Sequence, residues 1–285
     1  MEKAPFSKQP QFRIETLYMA ITNPLAVFVK PWKSLTLHEL AAHVHRLGFE
    51  WIELPVRPGF ACQPETIETD LPKAVEILGA QGVRILNVTV DTRLDDERMY
   101  AACAAAGVTL NRVMFHCRDR NYWEAEAEAR RKLDSAAALC EQYNVRIGVQ
   151  NHVGGFVGVH EFGLHHLLQG YDPRYFGAIW DAAHNALEGM APELALDVIA
   201  DRLFIVNLKN AFWQRITGPE AAVAGWKVYW TSGRQGRADW PRVAAKLRGI
   251  NYTGPICLTA EYSDETAVDR LIVEDLAFAR EVLAQ

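Results

Sequence analysis

Short apolar runs alternate with longer amphipathic stretches along nearly the whole chain. The apolar runs lie at 13–21, 49–56, 83–90, 109–116, 145–150, 175–181, 203–209 and 254–261. Because they are continuous and rich in Val and Ile, they are typical of strands buried on both faces of a parallel sheet. Stretches with helical spacing lie between and after them, at 36–48, 70–82, 95–107, 122–143, 161–170, 192–200, 240–249 and 266–284. The pattern therefore predicts eight strand–helix units.

Eight such units without a break in composition favour one closed (β/α)8 barrel of the α/β class, with a parallel eight-stranded core. The predicted organisation is an N-terminal tail at 1–12 followed by a single barrel domain at 13–285. An open doubly wound sheet is the alternative architecture. It is disfavoured because no Gly-x-Gly-x-x-Gly motif follows the first predicted strand. We therefore expect no nucleotide cofactor.

One connection is longer than loops in a barrel usually are. Residues 210–239 join the seventh predicted strand to its helix, and they contain Trp213, Trp226, Trp230 and Arg237. Long ordered loops at a barrel mouth are often lids or specificity loops. We predict a lid in which Trp213 and Arg237 contact the substrate. An oligomer contact and a hydrophobic plug are the alternative interpretations.

Four of the predicted strands end in polar side chains that can bind a metal. These residues are Gln150, Asp181, Asn207 and Glu261. The carboxyl ends of barrel strands meet at one mouth, where barrel enzymes have their active sites. We therefore expect an all-oxygen cluster there. His116 ends the fourth strand and Arg57 follows the second, so both are predicted to bind substrate at the same mouth.

Composition and charge exclude several classes of protein. The chain has 285 residues, 49% of them hydrophobic, and a formal net charge of −5, which argues against a nucleic-acid partner. Its five cysteines are odd in number and form no Cys-x-x-Cys pair, which is typical of buried thiols in a reducing compartment. No signal peptide and no stretch approaching the roughly 20 apolar residues of a membrane span is evident. We predict a cytoplasmic protein without a membrane partner.

Five motifs resemble those of the xylose isomerase-like TIM barrels, the superfamily of sugar and sugar-phosphate isomerases and epimerases. They are QNHVGG at 150–155, WDAAHN at 180–185, VNLKNA at 206–211, SGRQGRADW at 232–240 and AEYS at 260–263. The resemblance extends over strands two to eight in the same order. It implies a small sugar-like substrate, and barrels of this kind are usually dimers or tetramers, so we expect a homo-oligomer.

The resemblance also implies a divalent metal, Mn²⁺, Mg²⁺ or Zn²⁺, held by a Glu, an Asp, a His and a second Glu. By position, the ligands would be Gln150, Asp181, Asn207 and Glu261. Gln150 stands where the family has Glu, Asn207 stands where it has His, and Asn210 replaces an Asp. A carboxamide oxygen can bind a metal but brings no charge, so the departures are expected to weaken the site.

In the family, the two Glu also move a proton on either face of a ketose. An amide cannot take up a proton near neutral pH, so Gln150 cannot be a general base. Glu261 is then the remaining catalytic carboxylate, with His152 or His184 as the second acid–base group. His184 is also implied to contact substrate oxygen atoms. Lys209 is a candidate electrophile, although it could simply pair with Glu261.

Several functions are consistent with these residues. The first is a sugar or sugar-phosphate isomerase or epimerase that transfers a proton next to a carbonyl. A dehydratase or other lyase acting on a polyhydroxy keto compound uses the same geometry. The replacement of titratable groups at Gln150, Asn207 and Asn210 also favours a non-catalytic barrel that binds a sugar-like ligand or a partner. A metal-dependent nuclease is disfavoured by the negative charge and the few histidines at the mouth.

Overall fold

Eight parallel strands close into a barrel, which confirms the predicted α/β fold class. The computed structural model describes residues 23–91 and 93–285. The barrel strands are β1 (Leu25–Phe28), β2 (Trp51–Pro55), β3 (Arg84–Thr89), β4 (Leu110–Val113), β5 (Arg146–Gln150), β6 (Phe176–Asp181), β7 (Leu203–Leu208) and β10 (Ile256–Leu258). Around the barrel, β2 to β7 are neighbours in chain order, and β10 lies between β7 and β1.

Helices surround the barrel. They are α1 (Leu37–Arg46), α2 (Ile67–Gly79), α3 (Glu97–Ala105), α4 (Tyr122–Tyr143), α5 (Glu161–Leu168), α6 (Ala182–Glu188), α7 (Pro192–Ile199), α8 (Trp240–Gly249) and α9 (Val268–Leu283). Several begin at residues whose side chains accept a hydrogen bond from the first turn, which satisfies backbone N–H groups that a helix leaves unpaired. Thr36 and Glu39 form such a reciprocal box at α1, and Asp239 caps α8.

Strand residues alternate between the interior of the barrel and the layer beneath the helices. Apolar side chains fill part of the interior, and they include Phe28, Leu110, Ile179 and Ile205. Residues of the opposite face pack with the helices into one much larger apolar core. This apolar filling leaves the carboxyl ends of the strands as the polar end of the barrel.

The first strand was not predicted correctly. The predicted strand at 13–21 lies outside the described residues, and the place between β10 and β2 is filled by Leu25–Phe28. That segment has four residues, which is too short for a periodicity to stand out. As a result, nothing in the sequence pattern pointed to Lys30, which follows β1.

Other elements also differ from the prediction. Helix α2 begins at Ile67, a turn before the predicted start, and contains Pro72 within it. Strand β10 ends at Leu258, and Ala260 has a positive φ of 49°, so Glu261 belongs to the turn beyond the strand. The connection 210–239 contains an antiparallel hairpin, β8 (Asn210–Arg215) and β9 (Trp226–Thr231).

Within the part of the chain that the structure describes, no helix combines the length and the apolarity needed to cross a membrane.

Candidate functional site

A cavity of about 990 Å³ opens at the carboxyl end of the barrel. Its wall includes Lys30 after β1, Arg57 after β2, His152 after β5, Lys209 after β7 and Glu261 after β10. Each of these residues lies just beyond a strand end, which is where the chemistry of an α/β barrel is found. We call Lys30, His152, Lys209 and Glu261 the mouth cluster.

Glu261 is held by two lysines. Its carboxylate accepts a hydrogen bond of 2.8 Å from Lys209 Nζ and another from Lys30 Nζ. Burial raises the pKa of Glu261, but the ammonium groups of Lys209 and Lys30 outweigh burial and hold that pKa well below its usual range. Glu261 is therefore a carboxylate at neutral pH, and it is a weak base in this state.

Lys209 is fixed from a second side by the hairpin. Its Nζ lies 3.8 Å from the ring centroid of Trp230, a cation–π contact. Only 7% of the Lys209 side chain is exposed, compared with 44% for Lys30. A partly desolvated ammonium group at the edge of a cavity can donate a hydrogen bond to a carbonyl oxygen of a ligand.

His152 and His184 pack together, with their ring centroids 3.9 Å apart and their planes inclined by 31°. Nδ1 of His152 lies 2.9 Å from the carbonyl oxygen of Val153, so it carries the proton and leaves Nε2 as an acceptor. Burial lowers the pKa of His152 to about 4, so its imidazole is neutral at pH 7. His152 lines the cavity, and its Nε2 can accept a proton there.

His184 is enclosed by protein groups. Its Nδ1 accepts a hydrogen bond of 3.3 Å from Val153 N–H, and its Nε2 lies 3.8 Å from a carboxylate oxygen of Asp181. Burial lowers the pKa of His184 well below its ordinary value. Since the side chain is only 1% exposed, it supports His152 and Asp181 and does not line the cavity.

Beneath the mouth cluster lies a buried polar layer that faces the barrel interior. Its members are Glu53, Thr89, Arg112, Gln150 and Asp181. Nε of Arg112 donates to Glu53 and to the hydroxyl of Thr89, and Nη1 donates to the amide oxygen of Gln150. The amide nitrogen of Gln150 then donates to Asp181 Oδ2 over 3.2 Å. A continuous chain of contacts thus joins the second strand to the sixth.

Asp181 has two roles in this layer. Its Oδ1 accepts hydrogen bonds of 3.0 and 3.1 Å from the backbone N–H groups of Ala183 and His184, which begins helix α6. Burial raises the pKa of Asp181 to about 6, although Lys209, the backbone N–H of His184 and Arg112 act in the opposite direction. Asp181 therefore caps helix α6 with one carboxylate oxygen and accepts from Gln150 with the other.

Two of the three departures from the family pattern have a local explanation. Gln150 accepts from a guanidinium at one end and donates to a carboxylate at the other, which a glutamate cannot do. The amide nitrogen of Asn210 donates to the carbonyl oxygens of Gly233 and Ala238 over 2.7 and 2.8 Å. An aspartate at that position could not donate to either carbonyl.

Asn207 has no comparable explanation. It is fully buried and lies beside Asp181 and Cys257 in the strand register. Neither atom of its amide has a hydrogen-bond partner in the described part of the chain. An unpaired buried amide is costly, so this position marks a place where a water molecule or a ligand atom would be stabilised.

The predicted metal ligands do not form one open centre. The oxygen of Gln150 faces the guanidinium of Arg112, both oxygens of Asp181 accept hydrogen bonds, and Glu261 pairs with two lysines. Among residues 23–91 and 93–285, no group of three or more His, Cys, Asp or Glu side chains is arranged to hold a metal. The donor set therefore does not fit a divalent cation, because the oxygen atoms it would need already face positive groups or amide donors.

The predicted substrate-binding residues separate into two groups. Arg57 lines the cavity, and burial followed by the charge of Arg112 lowers its pKa. His116 instead lines a different cavity, of about 300 Å³, and packs against Phe156. Trp213, on the hairpin, donates to the carbonyl oxygen of Leu187 in helix α6 and does not line the large cavity.

Arg237 also lies away from the mouth cluster. It lines a third cavity, of about 260 Å³, and its Nε donates to the carbonyl oxygen of Ala186. The hairpin reaches the large cavity through Trp230 instead. The sequence identified the correct segment as part of the mouth, but not which of its aromatic residues faces the cavity.

Sequence reasoning missed Glu53, Arg112 and Lys30. The first two stand inside the otherwise apolar segments WIELPV and LNRVMF, and a charge inside a buried strand is a usable signal. Two opposite charges in such strands also suggest a buried pair. Lys30 offered no signal, because the strand before it was assigned elsewhere.

Solved structures with this architecture include sugar epimerases and a dehydratase. A D-psicose 3-epimerase from Clostridium cellulolyticum H10 has a TM-score of 0.70 at 12% identity and covers 92% of this chain and 100% of its own. A probable 3-DHS dehydratase of petrobactin synthesis from Bacillus anthracis has a TM-score of 0.69 at 12% identity, with 89% and 97% covered. A 3-keto-D-glucoside 4-epimerase from E. coli has a TM-score of 0.67 at 12% identity, with 91% and 99% covered.

Identities this low establish a shared fold and leave the reaction open. No curated protein matches the sequence. The family model described as the xylose isomerase-like TIM barrel matches residues 17–282, which is nearly the whole chain. That match agrees with the resemblance found in the five motifs and with the closed barrel. The chain therefore belongs to the xylose isomerase-like TIM barrel family.

Proposed function

We propose that this protein is an enzyme of the sugar isomerase or epimerase type, which moves a proton next to the carbonyl group of a small polyhydroxylated substrate. The observation that carries the proposal is the mouth cluster, in which Lys209, Glu261 and His152 line one cavity of about 990 Å³. A cavity of that size is large enough for a sugar or a sugar phosphate. Membership of the family supports the same class of substrate.

Lys209 is the electrophile in this proposal. Its ammonium group, held by Glu261 and Trp230, would donate to the carbonyl oxygen of the substrate and stabilise the negative charge that develops there. Because two partners fix the ammonium before substrate arrives, little reorganisation is needed in the transition state. Glu261 is a positioning residue for Lys209, and it balances the lysine charges.

His152 is the base. Nε2 of its neutral imidazole would take the proton from the carbon next to the carbonyl, leaving an enediolate whose oxygen faces Lys209. Returning the proton to the neighbouring carbon, while a hydroxyl proton passes between the two oxygens of the enediolate, gives isomerisation. Epimerisation would instead take a proton from water on the opposite face of the same carbon, and His152 would release its own proton to solvent. The pKa of about 4 keeps Nε2 unprotonated at neutral pH, although it makes His152 a weak base.

A lyase is a variant of the same proposal. Its first step is identical, and the proton held by His152 is then passed to the hydroxyl group on the carbon next to the enediolate, which leaves as water. The similarity to a probable dehydratase is compatible with this outcome. The two outcomes differ in their products, because only the lyase changes the mass of the substrate by one water.

Proton exchange tests the proposal with any substrate of the right chemical class. The protein is incubated in D2O with a panel of ketopentoses, ketohexoses and their phosphates, and deuterium incorporation is followed by mass spectrometry. We expect incorporation at the carbon next to the carbonyl, and Lys209→Met should reduce its rate by roughly 100-fold or more. Lys33→Met is the matched control, since Lys33 lines the same cavity without contacting Glu261.

A second candidate function is a barrel that binds a sugar-like ligand without transforming it. It is favoured by the amide at Gln150 and by the low basicity of Glu261 and His152. Binding of a panel member, measured by calorimetry, with no deuterium exchange and no product would support this candidate and overturn the enzymatic one.

A further inference from the structure

Arg112 stands at the centre of the buried polar layer. It projects from β4 into the barrel, is 4% exposed, and contacts groups from four other strands. Its Nε donates to Glu53 and Thr89, its Nη1 donates to Gln150, and its guanidinium carbon lies 4.5 Å above the ring of Phe28. A guanidinium group this enclosed stays charged, because arginine does not lose its proton in proteins.

Two carboxylates lie close to Arg112. Glu53 is fully buried and supplies a full negative charge, and Asp181 is joined to Arg112 through the amide of Gln150. The positions of Gln150 and Asp181 correspond to two of the metal ligands that the family resemblance implies. The guanidinium group therefore binds directly to an atom that a metal would need.

The identity of residue 150 follows from this arrangement. A glutamate there would also accept from Arg112, but it would place a second carboxylate against Asp181 at the 3.2 Å contact. The amide avoids that repulsion by donating a hydrogen bond to Asp181. Gln150 thus bridges Arg112 and Asp181, and the loss of the glutamate is explained by the neighbouring carboxylate of Asp181.

We propose that Arg112 is the resident cation of this barrel, occupying with its guanidinium group the place of the family's divalent metal. The proposal is independent of the reaction, since it concerns which cation the centre holds. A divalent ion would have to displace Arg112 from Gln150 and then face the ammonium group of Lys209 as well. Restoring the family's ligands is consequently insufficient to create a metal site while the arginine remains.

Metal titration with matched variants tests the proposal. Mn²⁺ binding is measured by calorimetry, in the full-length protein, for the wild type and for the pair Gln150→Glu and Asn207→His. Neither is expected to bind saturably below about 1 mM. Adding Arg112→Met and Glu53→Gln to that pair removes both partners of the buried ion pair, and affinity for Mn²⁺ is then expected to rise at least roughly tenfold.

The control keeps the charge and changes the shape. Arg112→Lys in the background of Gln150→Glu and Asn207→His retains a cation, so it is expected to gain no Mn²⁺ affinity. Tight Mn²⁺ binding by the wild type or by the double variant would overturn the proposal, as would a folded quadruple variant that fails to bind. Circular dichroism and thermal melting establish folding, and if the quadruple variant does not fold, the double variant alone decides the question.

Discussion

The buried polar layer and the mouth cluster are two groups of charges in the same end of one barrel, but their charges face different partners. In the layer, Glu53, Arg112 and Asp181 are between 0 and 4% exposed and face one another. In the cluster, Lys209 and Glu261 pair in a similar way but line an open cavity. The layer is built from residues inside strands, and the cluster from residues just after them. The charges of the buried polar layer pair with one another away from the cavity, so we expect them to matter for stability. The charges of the mouth cluster line the cavity, so they can contact a ligand.

The largest expected effect breaks the layer. Arg112→Leu leaves Glu53 buried without its partner, so the free energy of unfolding should fall by about 3–5 kcal/mol. The measurement is chemical denaturation monitored by circular dichroism. Arg242→Leu is the control, because it breaks an ion pair with Glu193 in which both side chains are exposed, and it should cost less than about 1 kcal/mol. Equal losses would show that burial does not distinguish the two kinds of pair.

The next effect acts on the cluster alone. Glu261→Gln removes the charge that positions Lys209, so we expect deuterium exchange into substrate to slow by roughly 10- to 100-fold. The melting temperature should change little, since the lysines can turn to water in the open cavity. Glu265→Gln, at the same cavity, serves as control. A large loss of stability with an unchanged rate of deuterium exchange would show that Glu261 stabilises the fold and does not position Lys209.

A smaller effect is expected from Trp230, the hairpin residue that lines the cavity. Trp230→Ala removes the ring that lies 3.8 Å from Lys209 Nζ, and the cation–π contact is worth about 0.5–2 kcal/mol. We expect KM to rise several-fold for a substrate bound by Lys209. Trp213→Ala lies on the same hairpin but away from the cavity, so its KM should match that of the wild type. A larger rise in KM for Trp213→Ala than for Trp230→Ala would indicate that Trp213 contacts the substrate.

The smallest effect is a pH dependence of stability. The pKa of His152 is about 4 in the folded protein and 6.5 as the ordinary value, so the unfolded chain binds the proton more tightly. Stability should therefore decrease as the pH falls from 6.5 towards 4. His152→Gln has no imidazole and should lose less stability over this range. Between pH 7 and pH 5, the melting temperature of the wild type should fall by roughly 2–4 °C more than that of the variant. Parallel curves for the two proteins would contradict the assigned protonation.

Periodicity predicted most of the barrel, because buried parallel strands and amphipathic helices have distinct apolar patterns. It failed at Leu25–Phe28, where four residues carry too little pattern, and at the hairpin, whose strands mix aromatic and charged residues. Seven of the eight barrel strands were predicted from their own apolar pattern. The closure of the ring by the remaining one depended on contacts with β2 and β10.

The candidate site was predictable in position more than in chemistry. The sequence indicated that Asp181 and Glu261 lie at the polar end, and the structure agrees. It did not indicate that Glu261 pairs with Lys30, or that the oxygen of Gln150 faces Arg112. These partners come from strands far apart in the chain, so their proximity follows from barrel closure and from no local motif.

The attachment of the hairpin has a mechanical consequence. Trp230 N–H donates to the hydroxyl of Ser263, and Ser263 N–H donates back to the carbonyl of Trp230, so β9 is joined to the turn that carries Glu261. These two hydrogen bonds tie the position of the hairpin strand to that of the Glu261 carboxylate. A substitution that displaces β9 should therefore also disturb the pairing of Glu261 with Lys209.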